Sequence, residues 1–234
     1  MDPETAAETS AAGGSRRRPS AVLRRPAPRD GGPIGAARPA AAVGPDPRAD
    51  LLIEAELAGR SFRFATTWGL FSPREIDAGT RMLVDCLDPR PDDDCLDLGC
   101  GYGPIGCVLA HLASQGRTLM VDRDFVAVDY AARNARANGL ANASARLSNG
   151  LAQLEGEQFD LIASNLPAKV GRELYAILLE DAWAHLRPQG RFLAVFIRHL
   201  WPTLRREAQR VFGQAEKLRE GPAYVVLGAR RQDG

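Results

Sequence analysis

Cys95-Leu96-Asp97-Leu98-Gly99-Cys100-Gly101-Tyr102-Gly103-Pro104-Ile105-Gly106 is the stretch on which the reading of this chain turns. A short apolar run carrying one aspartate leads into glycine at every second position. Pro104 follows, a residue suited to the first turn of a helix. Glycine has no Cβ and adopts backbone conformations closed to other residues, so such a loop lets a ligand lie against main chain. Two patterns overlap here. Gly101-x-Gly103-x-x-Gly106 has the spacing of a dinucleotide fingerprint, with Asp122 about 20 residues further on. Asp97-x-Gly99-x-Gly101-x-Gly103 is the other, and charge separates the two. A dinucleotide brings an anionic pyrophosphate to the helix N-terminus. Asp97 would repel it, and residues 95 to 116 contain no Lys or Arg to compensate. A cationic ligand without phosphate is the better match.

Strand and helix signals alternate outward from this loop. Downstream, the spacing predicts a helix over 104–113, a strand over 118–121 ending at Asp122, a helix over 125–138 closed by Gly139, and a weak strand over 143–147. A strong strand over 159–163 follows, then a helix over 172–186 stopped by Pro188 and Gly190, a strand over 191–197, a helix over 201–212, and a final hairpin over 215–229 turning at Gly221-Pro222. Upstream, residues 94–98 form the first strand of the series. A helix is predicted from Arg74 to Leu87, with Ser72 as N-cap and Pro73 at its first position. A hairpin is predicted over 51–66, with Phe62 and Phe64 alternating on one face. Such alternation implies an α/β domain, a Rossmann-like doubly wound, mostly parallel sheet. Ligands in such sheets bind at the carboxyl ends of the strands.

Composition bounds the alternatives. The 234 residues suffice for one such domain plus a tail, and a formal net charge of +1 gives no bulk electrostatic case for nucleic acid or membrane. Residues 1–49 hold eight of the sixteen prolines and eight Arg against five acids. This segment has too little apolar surface to offset its ordering entropy and is read as a disordered tail, leaving residues 50–234 as the domain. Its Arg16-Arg17-Arg18 and Arg24-Arg25 are solvated charge or contacts for RNA phosphates. Cys86, Cys95, Cys100 and Cys107 form no C-x-x-C pair, and the three histidines have no metal-ligand spacing. Reduced thiols, no metal and a cytoplasmic location are expected. No apolar run approaches the ~20 residues that span a bilayer.

The strand ends carry the chemistry. The Asp97–Gly103 pattern resembles the S-adenosylmethionine loop of class I methyltransferases. S-adenosylmethionine carries an ammonium and a sulfonium, so Asp97 is attractive to it. Asp97, Gly99, Cys100, Gly101, Tyr102 and Gly103 are then expected at the methionine half of the cofactor. Asp122, with Arg123 beside it, is placed to accept from the ribose hydroxyls; a simple helix N-cap is the other reading of Asp122. Asn149 is read either as an acceptor for the adenine amino group or as an ordinary turn at Asn149-Gly150. Ser164-Asn165-Leu166-Pro167-Ala168-Lys169 ends the fourth strand of the series. An exocyclic amine is a poor nucleophile because its lone pair delocalises into the ring. The Asn165 side-chain oxygen and the Leu166 carbonyl can accept both amine hydrogens and aim the lone pair at a sulfonium methyl. Pro167 keeps Leu166 extended. This is catalysis by positioning and electrostatics. In the plainer reading, Asn165 caps the strand and braces the loop.

Residues from about 69 to 230 resemble the methyltransferase small-domain family, which includes ribosomal small-subunit RNA guanine-N2 methyltransferases and single-domain archaeal relatives. The matching pieces are Gly69-Leu70-Phe71-Ser72, Asp77-Ala78-Gly79-Thr80, Asp97 to Gly103, Asp122, and Asn165-x-Pro167-x-x-x-Gly171. The resemblance implies a seven-stranded sheet whose last strand is antiparallel, S-adenosylmethionine as methyl donor, and a base amine in RNA as acceptor. The sequence departs from the pattern at three points. Leu166 stands for the first proline of Asn-Pro-Pro, and Ala168 for the aromatic that would stack on a base. Asn149 stands where Asp is common. The two-domain members carry an additional N-terminal domain, where this chain has residues 1–49. Phe71 and Thr80 are further cofactor candidates, and Trp68, Lys169 and Arg172 are substrate candidates, with Trp68 or Phe71 as the replacement base platform. The alternatives are a small-molecule or protein amine as acceptor, and a non-catalytic cofactor-binding module.

Overall fold

The structure is a computed structural model and describes residues 50–232; the expected tail over 1–49 lies outside them. Nine strands and five helices follow in order: β1 (Leu51–Leu57), β2 (Arg60–Thr66), α1 (Ala78–Val84), β3 (Cys95–Leu98), α2 (Pro104–Leu112), β4 (Thr118–Asp122), α3 (Phe125–Ala137), β5 (Ala143–Leu147), β6 (Phe159–Asn165), α4 (Arg172–His185), β7 (Leu186–Ile197), α5 (Trp201–Phe212), β8 (Glu216–Glu220) and β9 (Tyr224–Arg230). A seven-stranded sheet runs in the order β5-β4-β3-β6-β7-β9-β8. Strands β3 to β7 are mutually parallel. The last strand, β9, is antiparallel to both β7 and β8, between which it lies. Sequence order reverses between β3 and β6, and the crevice at that switch point is where α/β sheets bind ligands.

Strand alternation divides the interior. Cys95, Met120, Leu161, Ala163, Leu193, Val195 and Val226 face one core, packed with residues of α1, α2, α3 and the β1–β2 hairpin. Leu96, Leu98, Val121, Ile162, Phe192, Ala194, Phe196 and Leu227 face the other, covered by α4 and α5. Burial on both faces explains why the central strands read as nearly continuous apolar runs, whereas the edge strands β5 and β8 are largely exposed.

The β1–β2 hairpin stands apart from the main sheet and is attached by an unusual ladder. Asn134 and Asn138 lie one turn apart on and just after α3. The Asn134 carboxamide accepts from Ala65 N (2.8 Å) and donates to Ala65 O (2.8 Å). Asn138 does the same to Arg63 (3.0 and 2.8 Å). Two side-chain amides thus satisfy the outer edge of β2 as a third strand would.

Two boundaries differ from expectation. The first helix starts at Ala78, not Arg74. Its N-cap is Asp77, whose carboxylate accepts from Thr80 N at 3.1 Å. Ser72 instead sits at φ +47°, its hydroxyl turned to Glu75 O (2.7 Å), and so occupies a tight turn rather than a helix start. Further on, the helix before β7 ends at His185, because Leu186 already pairs with Phe159. The strand runs through Pro188 and Gly190, with a register shift between Phe159 and Leu161.

Candidate active site

The ends of β3, β4 and β6, with the loop before α1, converge at the switch point. The glycine loop is held open by backbone geometry. Gly99, Gly101 and Gly103 all have positive φ (+76°, +54° and +92°). A methyl group on Gly99 or Gly101 would meet nothing within 4 Å, so the loop has open space over it. On Gly106 it would run into Met120, which makes that glycine a packing requirement.

Two carboxylates fasten the loop from below. Asp97 is fully buried, and its Oδ2 accepts from Gly106 N at 2.7 Å. Its Oδ1 is buried without a partner among the described residues. Burial, opposed by the Gly106 hydrogen bond and aided by the charge of Asp122, pushes its pKa up to about 7. Asp122 accepts from Gly101 N (2.9 Å) through one oxygen and from Asp124 N (3.0 Å) through the other. It does not cap α3; Asp124 does, accepting from Val126 N at 2.8 Å. No cation pairs with Asp97 or Asp122 among the described residues, so the loop lies in an uncompensated negative field. That field, the unsatisfied Asp97 oxygen and the open glycine cradle fit a cationic ligand and oppose a pyrophosphate.

Other expected cofactor residues divide. Arg123 and Asn149 are exposed, at the ends of β4 and β5. Cys100 and Tyr102 are buried, so their side chains are packing and only their backbone borders the loop. The Tyr102 hydroxyl donates toward Ser72 O (3.4 Å) and Glu75 O (3.3 Å), and its carbonyl accepts from Asn134 (2.8 Å). Thr80 is buried, and its Oγ1 accepts from Asn165 Nδ2 at 3.0 Å.

Asn165 is the last residue of β6. Its amide nitrogen also donates to Asp77 Oδ2 (3.2 Å), and the other Asp77 oxygen accepts from Tyr224 on β9 (2.9 Å). With its NH2 committed to these acceptors, the carboxamide oxygen faces the other way. Leu166 places its side chain in the core and donates its N–H to Val195 O at 2.9 Å. A proline at that position could not make this bond. The Pro167 carbonyl accepts from Tyr175 (2.6 Å), which fixes the exit of the loop.

Trp68 and Phe71 are exposed, 50% and 63%, with Arg74 stacked 5.7 Å from the Trp68 ring. They sit on the same loop as Ser72 and Glu75, which Tyr102 ties to the glycine loop. Lys169 is exposed and has no ion-pair partner among the described residues. Arg172 is exposed, and its guanidinium bonds the buried Glu207 on α5 (Nη2 2.7 Å, Nε 3.0 Å). No local motif marks Tyr224 or Asn134, because their partners are far away in sequence.

Residues 61–228 match the family model of the methyltransferase small domain. The chain belongs to that family. Membership makes it a methyltransferase with S-adenosylmethionine as methyl donor, and the glycine cradle between two carboxylates fits that cofactor. The uncharacterized protein YbxB of Bacillus subtilis is 28% identical over 178 residues, covering 75% of this chain and 89% of that protein. Ribosomal RNA large subunit methyltransferase G of Streptomyces coelicolor is 32% identical over 172 residues, covering 70% of this chain and 45% of the relative. Among solved structures, a Thermus thermophilus 16S rRNA N2 G1207 methyltransferase in complex with AdoMet and guanosine superposes with a TM-score of 0.71 at 27% identity, covering 80% of this chain and 52% of that one. The chain thus spans about half the length of the ribosomal RNA methyltransferases it matches. Among the described residues no helix is long and apolar enough to cross a membrane, and no group of three or more His, Cys, Asp or Glu is disposed to hold a metal ion.

Proposed function

We propose that this small-domain methyltransferase transfers a methyl group from S-adenosylmethionine to the exocyclic N2 amine of a guanine in ribosomal or related RNA, in the cytoplasm. The observation that carries the reading is the orientation of Asn165. Its NH2 is engaged within the protein, so its oxygen is left to accept a hydrogen from an incoming amine. An acceptor there selects an atom that bears hydrogen. The similar Thermus thermophilus protein, an N2 methyltransferase crystallised with AdoMet and guanosine, supports guanine as the base.

Each residue has a defined task in this reading. Gly99, Gly101 and Gly103 let the cofactor lie on main chain, Asp97 and Asp122 favour its positive charge, and Asn149 and Arg123 border its nucleoside end. When bound, the cofactor supplies a methyl group on a positively charged sulfur, and its C–S bond breaks as the bond to the amine nitrogen forms. The Asn165 oxygen and the Leu166 carbonyl accept the two amine hydrogens, which aims the nitrogen lone pair at the sulfonium methyl. Proximity and fixed dipoles then do the work, with no covalent enzyme intermediate. The proton released from nitrogen passes to solvent. Phe71 or Trp68 offers the base a stacking face in place of Ala168, a contact worth ~1–3 kcal/mol. Lys169 is available to phosphate, and Arg172 presents the exposed part of its guanidinium while paired with Glu207.

The test is methyl transfer from labelled S-adenosylmethionine into total RNA from a strain lacking this protein, with each labelled nucleoside mapped. Label in N2-methylguanosine is the expected result. Label absent from RNA but present on small-molecule or protein amines would overturn the RNA assignment while retaining the amine chemistry.

A further inference from the structure

Asn165 does not hold itself in place. A carboxamide has two nearly isosteric orientations, one presenting oxygen and the other NH2 to the same point in space. Which one faces the acceptor decides whether the site receives an N–H or opposes it. Three residues fix the choice. Asp77 has only acceptor oxygens to offer, so the group facing it must be the NH2. Thr80 Oγ1 takes the NH2 as well, at 3.0 Å. Asp77 is in turn held from both sides: Oδ2 caps α1 at Thr80 N (3.1 Å), and Oδ1 receives the Tyr224 hydroxyl (2.9 Å).

The surroundings are shaped for this arrangement. A methyl group on Gly79 would come within 2.9 Å of both Asp77 Oδ2 and the Tyr224 ring, so only glycine there lets the tyrosine reach past the helix. Thr80 is buried, and Tyr224 is half-buried at the start of β9. Part of the antiparallel strand's job is therefore to deliver a phenol to the start of α1.

We infer that Thr80, Asp77 and Tyr224 are positioning residues for the methyl acceptor, holding the Asn165 carboxamide with its oxygen outward, and that Thr80 serves the acceptor side of the reaction rather than the cofactor side. The inference rests on the amine-methylation reading above. It adds the reason the site takes a nitrogen bearing hydrogen: a flipped Asn165 would point N–H at N–H.

The variants are Thr80→Val, which keeps shape and removes the hydroxyl, Thr80→Ser, which restores it, and Tyr224→Phe, which removes only the phenol oxygen. Two readouts are used. The first is kcat and KM for methyl transfer into RNA from the strain lacking the protein, alongside S-adenosylmethionine affinity by calorimetry. Thr80→Val should lower kcat about tenfold, the scale of one lost orienting hydrogen bond, with cofactor affinity within about twofold. Thr80→Ser should recover most of the loss, and Tyr224→Phe should lower kcat by less than Thr80→Val. The second readout needs no acceptor: the side-chain 15N–1H2 resonance pair of Asn165, assigned by its disappearance in Asn165→Asp. It should move and lose exchange protection in Thr80→Val and Tyr224→Phe. Unchanged kcat and an unmoved resonance pair would overturn the inference. So would equal loss of cofactor affinity in Thr80→Val and Thr80→Ser, which would return Thr80 to the cofactor. A wild-type protein inert toward RNA counts against the proposed substrate alone; the resonance pair then decides the positioning role.

Discussion

The two ends of the sheet treat their carboxylates in opposite ways. At the end where the parallel strands begin, Asp93, Asp94, Asp160 and Glu157 are matched by arginines. Arg187 bridges Asp94 (2.7 Å) and Asp160, Arg117 reaches Asp94 (3.4 Å) and Glu157 (2.9 Å), and Arg191 reaches Asp93 (3.4 Å) and Asp88. These pairs link the starts of β3, β4, β6 and β7. At the end where the strands finish, Asp122, Asp77 and one oxygen of Asp97 accept from backbone N–H groups, an amide and a phenol, and none of the three carboxylates has a cation among the described residues. Neutral donors hold a carboxylate in place without cancelling its charge. One end is neutralised to staple strands; the other keeps its negative field for a ligand that brings its own positive charge.

Breaking the open end should cost function first. Asn165→Ala should reduce methyl transfer by at least about 100-fold, comparable to loss of a preorganised group in other enzymes, while S-adenosylmethionine affinity by calorimetry stays within about twofold. Equal loss of both would dissolve the assigned role. Gly101→Ala should weaken cofactor binding at least about tenfold. The added methyl meets no protein atom, so stability should fall only by the ~1 kcal/mol of a strained positive φ. A large fall in Tm with unchanged affinity would show that the glycine serves folding rather than binding.

Breaking the closed end should do the reverse. Asp160→Ala leaves Arg187 and the Asp94 N–H short of an acceptor and should destabilise the fold by about 2 kcal/mol. Cofactor affinity of the folded protein should not change; a changed affinity would mean the two ends are coupled. A last test sharpens the comparison through pH. Burial holds the Asp97 pKa at about 7, above the ordinary 3.8 of an aspartate. Between these values the folded state binds the extra proton, so stability contributed by Asp97 falls as pH rises from about 4 to 7. Asp97→Asn should therefore flatten this part of the Tm–pH curve relative to wild type. A parallel curve for the variant would show that the carboxylate is not held against its ionisation.

The contrast also marks what could be read in advance. The glycine loop, the strand–helix alternation and the place of Asn165 follow from local pattern, and the seven-stranded sheet with β9 antiparallel agrees with the family resemblance. The start of the first helix differs from the sequence reading because Ser72-Pro73 carries a good cap signal, while the true cap, Asp77, is recognised only by its bond to Thr80. The early start of β7 was hidden by Pro188 and Gly190, which read as terminators but lie in an irregular stretch. The bond between Thr80 and Asn165 is not legible in advance, because helical spacing gives a face, not a neighbour. Tyr224 lies 147 residues from Asp77, and nothing near it in the chain announces a contact that only the insertion of β9 between β7 and β8 creates.

The paired asparagines behind the hairpin bear on solubility and on how a domain can be extended. Four helical residues rise about 6 Å and two strand residues about 6.8 Å, so carboxamides one helical turn apart match alternate peptide groups along an extended chain. A helix can therefore terminate a ribbon that would otherwise recruit another strand, and edge-to-edge aggregation is blocked without a charge or a proline. Because Asn134 also grips the Tyr102 carbonyl, the seal and the glycine loop share one side chain. Exposing that edge would both make the protein adhesive and slacken the loop over which the cofactor lies.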